Sequence, residues 1–95
     1  MSEREQVILA MEEFALSLRG KAWMSANEAF NFILPSGIDG SYDEGSDATI
    51  FYNIRYNLAL RVEWDHQYTE NGHFVRSLGY EVFDDNQEPP LIKRG

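Results

Sequence analysis

The sequence predicts an α+β fold, with two N-terminal helices packed on one face of a small antiparallel β-meander of three strands and a fourth short one as an option. Three observations carry that expectation. A Ser-x-x-Glu capping box at Ser2 opens an apolar stripe of helical period. A second, shorter pattern of the same kind starts at Ser25. From Ile50 to Trp64, apolar side chains then take every second position, the period of a strand with one buried face.

In the first element, the Ser2 hydroxyl can accept from the Glu5 amide while the Glu5 carboxylate reaches back. Val7, Met11, Phe14 and Leu18 follow at steps of four, three and four, flanked by Ala10 and Ala15. Arg19 sits where a cation meets the negative end of the helix dipole, and Gly20 offers a left-handed stop. The expected helix is 3–19. The second box, Ser25-Ala26-Asn27-Glu28, is followed by Ala29, Phe30 and Ile33, which complete a stripe with Ala26 before Pro35 ends it. This gives a short helix over 26–33, with Trp23 and Met24 packing back on it.

Residues 35–47 hold three glycines and four acids in thirteen positions, which reads as a long acidic loop. The alternating run after it is about 50 Å as one strand at about 3.3 Å per residue, so a turn must cut it. A three-residue loop at Arg55-Tyr56-Asn57, with Asn57 left-handed, pairs Ile54 with Leu58, Tyr52 with Leu60 and Ile50 with Val62. A second three-residue loop, Glu70-Asn71-Gly72, pairs Tyr68 with Phe74, Trp64 with Leu78, Val62 with Tyr80 and Leu60 with Val82. It also sets Arg61 opposite Glu81. The expected strands are 48–54, 58–69 and 73–83, followed by an extended tail over 86–95. The helices then cover the face with Tyr52, Leu60, Val62, Trp64, Leu78, Tyr80 and Val82.

Ninety-five residues with 43% apolar content suit one domain, residues 1–95, with a real core. The net charge is −8, and between Ala22 and Ile54 there is no Lys or Arg. Such a surface repels phosphate backbones and anionic lipid, so neither direct nucleic-acid binding nor membrane binding is expected. Cysteine is absent, which removes disulfides and thiolate chemistry. Met1-Ser2-Glu3-Arg4-Glu5 does not lead into an apolar leader, so a cytoplasmic location is expected.

No cofactor motif, phosphate-binding glycine loop, nucleophile elbow or paired-histidine zinc motif is present, so no enzyme and no cofactor or metal are expected. Asp39, Ser41, Asp43, Glu44 and Asp47 are oxygen donors, but their spacing fails the calcium-loop pattern: Glu44 stands where it needs glycine. Glu63 and Asp65 share one strand face, whereas His66 points to the other, opposite Arg76, with no second histidine beside it. His73 flanks a turn and is expected to be exposed. The expected partner-binding residues are the loop acids Asp39, Asp43, Glu44 and Asp47, with Phe51 and Phe83 as aromatic anchors on the sheet face away from the helices. Together they suggest a small acidic binding or inhibitor protein acting on a protein with a basic surface. A homodimer or chaperone-like assembly subunit is the alternative, and an enzyme with an unfamiliar site comes last.

Overall fold

In the computed structural model, which describes residues 2–29, 31 and 33–95, the first helix occupies its expected span, α1 at Glu3–Arg19. The Ser2 hydroxyl accepts from the Glu5 amide at 3.1 Å and donates to the Glu5 carboxylate. Val7, Ile8, Met11, Ala15 and Leu18 form its buried face. Gly20 departs from the expected left-handed stop: it is right-handed, φ −71°, and its amide still donates to the Leu16 carbonyl.

The rest of the chain overturns the expected two-helix, three-strand arrangement. The remaining elements are β1 (Met24–Ser25), α2 (Ala26–Ala29), β2 (Gly40–Glu44), β3 (Ala48–Asn53), β4 (Leu58–Thr69), β5 (Gly72–Asp84) and β6 (Leu91–Arg94). They make a curled, antiparallel six-stranded sheet in the order β1-β5-β4-β3-β2, with β6 also paired to β5. α2 is a single turn, not the helix expected over 26–33. Ser25 caps it by accepting from the Glu28 amide, but Ile33 is 95% exposed and adds nothing to a buried stripe. Phe30, the aromatic of that expected stripe, lies outside the described residues.

Two of the added strands come from segments that read as irregular. Within the expected acidic loop, β2 pairs with β3 from Gly40↔Tyr52 to Glu44↔Ala48, and Gly45 turns at φ +66°. The Tyr52 ring lies where a Cβ on Gly40 would be, so a larger residue there would have to push that side chain aside. In the expected tail, β6 pairs with β5, and Gly95 exchanges both backbone hydrogen bonds with Tyr80 at 2.7 and 2.9 Å.

The β3–β4 connection also departs from expectation. Asn57 is left-handed as expected, φ 52°, but the loop holds four residues, Ile54 to Asn57. Asn53 pairs with Leu58, Tyr52 with Ala59, Phe51 with Leu60 and Thr49 with Val62. A one-residue slip turns every β3 side chain to the other face. The Asn53 side chain favours this register by accepting from the Tyr56 amide at 2.9 Å and donating to the Gly37 carbonyl at 2.7 Å.

Along β4–β5 two registers coexist. From Leu58 to Glu63 the pairing is the expected one, with Leu60↔Val82, Val62↔Tyr80 and Arg61↔Glu81. At Leu78 a β-bulge intervenes. Beyond it Trp64 faces Ser77 (not Leu78), His66 faces Val75 (not Arg76) and Tyr68 faces His73 (not Phe74). The hairpin closes on a two-residue turn, Glu70-Asn71, in place of the three-residue loop. Leu78 is consequently 51% exposed, and the Ser77 hydroxyl is buried without a hydrogen-bond partner among the described residues.

Inside the curl, the buried face of α1 meets Phe51, Leu58, Leu60, Val62, Trp64, Val75, Tyr80 and Val82. Tyr52 and Leu78, expected in this layer, are not part of it; Phe51 and Val75 are. Phe51 is fully buried and stands edge-on to Phe14, ring centroids 5.0 Å apart.

Two checks follow. Gly72 keeps φ +125°, so Gly72→Val should destabilise by about 1–3 kcal/mol, the usual cost of a strained backbone residue. Asn71→Ala should fall within about 0.5 kcal/mol, as surface changes do. Equal midpoint shifts in urea melts would contradict this turn. At the opposite end of the ribbon, Asp84 is buried and ion-paired to Arg4. That bond, and secondly the Asn86 amide, hold its carboxyl below the ordinary value. A carboxyl depressed in the folded state stabilises above its unfolded pKa of about 3.9, and the benefit is lost as pH falls through the folded value. Urea melts of wild type and Asp84→Asn should therefore differ clearly at neutral pH and converge as pH falls below the lowered folded-state value. A gap independent of pH would refute the ion pair.

Candidate functional site

With α1 filling the inside of the curl, no helix among the described residues lies on the outer face of the sheet. Its side chains fall in rows that cross the strands. One row reads Gly40, Tyr52, Ala59, Phe83 and Leu91. The next reads Tyr42, Ile50, Arg61, Glu81 and Arg94, and a third Glu44, Ala48, Glu63 and Gly79. The first row is almost wholly apolar. The Tyr42 ring leans towards it, 6.2 Å from the Tyr52 ring. Beside it Arg61 bonds Glu63 at 2.5 Å and Glu44 at 3.3 Å. The bond to Glu63 is the main reason its guanidinium is held above its ordinary pKa, so the local cation is already neutralised by acids. Tyr42 and Leu91 stand exposed, while Tyr52 and Phe83 are half-buried.

The expected partner residues separate on this frame. Phe83 lies in the apolar row. Phe51 does not: the β3 register places it in the core, and as an outward anchor it is corrected. The four acids do not form one patch. Asp39 accepts from the Ile54 amide at 2.7 Å and so caps the β3–β4 loop. Asp43 points inward and accepts from the Thr49 hydroxyl at 3.1 Å, whereas Glu44 points outward to Arg61. The Asp47 side chain projects from the β2–β3 turn and is 86% exposed. Asp43, Glu44 and Asp47 thus share one end of the β2 edge. Tyr42, Tyr52 and Leu91 escaped the sequence reading because β2 read as an acidic loop, β3 is apolar in both parities and β6 had no strand pattern.

A second feature lies on the inner face, where β4 and β5 run on beyond α1. His66 and His73 sit diagonally across the two strands, with Nδ1 of His66 2.8 Å from Nε2 of His73. The other nitrogen of His66 bonds the Ser46 carbonyl at 2.5 Å. Tyr68 stacks on His73 with centroids 4.4 Å apart. Asp43, Gly45, Ser46, Ala48, Thr49 and Trp64 complete a cleft around the two imidazoles. His66 therefore has the neighbour the sequence did not foresee. In a three-residue-loop register His73 falls opposite Thr69 on the other face, and only the observed turn brings the rings together.

Among the described residues, no helix is long and apolar enough to cross a membrane. No protein-family model, curated protein or solved structure matches this chain.

Proposed function

We propose that this is a small acidic, non-enzymatic binding protein that covers a basic surface on another protein, in the manner of immunity proteins, phage-encoded inhibitors and nucleic-acid mimics, and that it works in the cytoplasm. The observation that carries the reading is the helix-free outer face. Its apolar row with Tyr52, Phe83 and Leu91 lies beside Glu44, Glu63 and Glu81, and the two basic groups there, Arg61 and Arg94, face acids. Aromatic anchors inside a charged rim are the anatomy of a protein interface.

The division of labour makes the reading testable. Rim charges act on association and buried anchors on dissociation. A partner recovered from the source cell by salt-stepped elution, then purified, serves as the analyte for two variants. Glu44→Gln/Asp47→Asn should slow association and flatten its salt dependence. Asp39 and Asp43 are left intact because one caps a loop and the other accepts from the Thr49 hydroxyl on the inner face. Tyr42→Ala/Phe83→Ala should leave association nearly unchanged and speed dissociation at least tenfold, about 1.4 kcal/mol. Unaltered kinetics in both variants would refute the reading.

The homo-oligomer remains a second reading because the two outer edges of the sheet differ in charge. β2 carries Asp43 and Glu44, and β6 carries Lys93 and Arg94. Edge-to-edge addition of copies through these strands predicts self-association that light scattering detects at low salt and loses at high salt.

A further inference from the structure

We propose that His66 and His73 form a two-imidazole chelating site for a divalent first-row transition ion such as Zn²⁺ or Ni²⁺. The Ser46 carbonyl fixes the tautomer of His66. A carbonyl only accepts, so Nε2 of His66 must carry its proton, and in the neutral ring Nδ1 is then a lone pair. That lone pair is aimed at Nε2 of His73, 2.8 Å away. A histidine whose second nitrogen is tied to a backbone carbonyl has the orientation and tautomer of a metal ligand.

The spacing suits an ion. Two metal–nitrogen bonds of about 2.0–2.1 Å place their nitrogens about 2.9 Å apart at the right angle of an octahedral ion such as Ni²⁺, and about 3.3 Å apart at the tetrahedral angle of Zn²⁺. Replacing the shared hydrogen bond by a metal thus needs little translation, only ring rotations that make both lone pairs converge. The proton on Nε2 of His73 moves through water to Nδ1 of the same ring, so both ligands stay neutral imidazoles and no redox partner is required. Tyr68 stacked on His73 limits the freedom that this ring loses on binding. Asp43 lines the cleft, and the Asp47 carboxylate comes within 4.0 Å of His66 Nε2, which raises the local concentration of cations. Among the described residues no group of three or more His, Cys, Asp or Glu side chains is placed to hold an ion, so water completes the coordination sphere. Imidazole ligands favour Zn²⁺, Ni²⁺ and Cu²⁺ over Mg²⁺.

The test uses tag-free protein with each metal alone. Zn²⁺ or Ni²⁺ at ~100-fold excess over the dissociation constant should raise the melting temperature by on the order of 10 °C, because the ion binds the folded chain preferentially. Mg²⁺ should do nothing. His73→Gln, near the exposed hairpin tip, should fold and lose the response. In the wild type, Zn²⁺ should shift the imidazole NMR signals of both histidines together, a readout that does not depend on any variant folding. Three results overturn the proposal: no response to either ion at millimolar concentration, an equal response in His73→Gln, or NMR shifts confined to carboxylate-bearing residues.

Discussion

Phe51→Ala should cost about 3–5 kcal/mol, the range for truncating a fully buried aromatic. The ring has no exposed surface, stands edge-on to Phe14 and lies opposite Leu60 under α1. Removing it leaves a cavity between helix and sheet that both can close only by shifting. The same substitution is also the sharpest test of register. If β3 were turned over, Phe51 would lie on the outer face and its loss would fall near the 0.5 kcal/mol of ordinary surface changes. Chemical melts of the wild type and the variant decide between the two, and a loss under about 1 kcal/mol would mean that β3 is misplaced.

Trp64→Ala should be comparably severe, about 3–5 kcal/mol. Trp64 is buried just beyond the bulge, and its indole nitrogen donates to the Thr49 hydroxyl at 2.8 Å, which in turn donates to Asp43. The side chain thus joins β4 to β3 and, through Thr49, to β2. Trp64→Phe separates the two contributions. It keeps much of the apolar volume but leaves the Thr49 hydroxyl without this donor, so about 1–3 kcal/mol is expected. If Phe and Ala were equally damaging, the hydrogen-bonded chain and not the packing would dominate.

How much of this was legible in the sequence depended on whether a signal was local. α1 was, because Ser2, Glu5 and the stripe from Val7 to Leu18 lie within one element. The existence and span of β4 and β5 were legible too, because Leu58, Leu60, Val62 and Trp64 alternate cleanly with polar neighbours. Register was not. Thr49, Ile50, Phe51 and Tyr52 suit a strand in either parity, and the choice fell to Asn53, whose side chain caps a four-residue loop. β2 was hidden by glycine, serine and acids that are poor strand formers alone but acceptable when paired to an apolar neighbour. The candidate sites inherited these limits. Phe83 was placed outward and is so, Phe51 was misassigned with β3, and the histidine pair was invisible until the turn length was known.

β5 bears the sheet's most divided load. On one side β4 accompanies it throughout; on the other, β1 meets only Phe74 and Val75, and β6 with Gly95 meets it from Tyr80 onward. The stretch between has a strand on one side only, and it holds the Leu78 bulge and the orphan hydroxyl of Ser77. In the language of hydrogen exchange, this is where the ribbon should open first, well before global unfolding. The hairpin tip with its two histidines would then move as one cooperative unit and the helix-covered base as another, joined at a hinge in the middle of the longest strand.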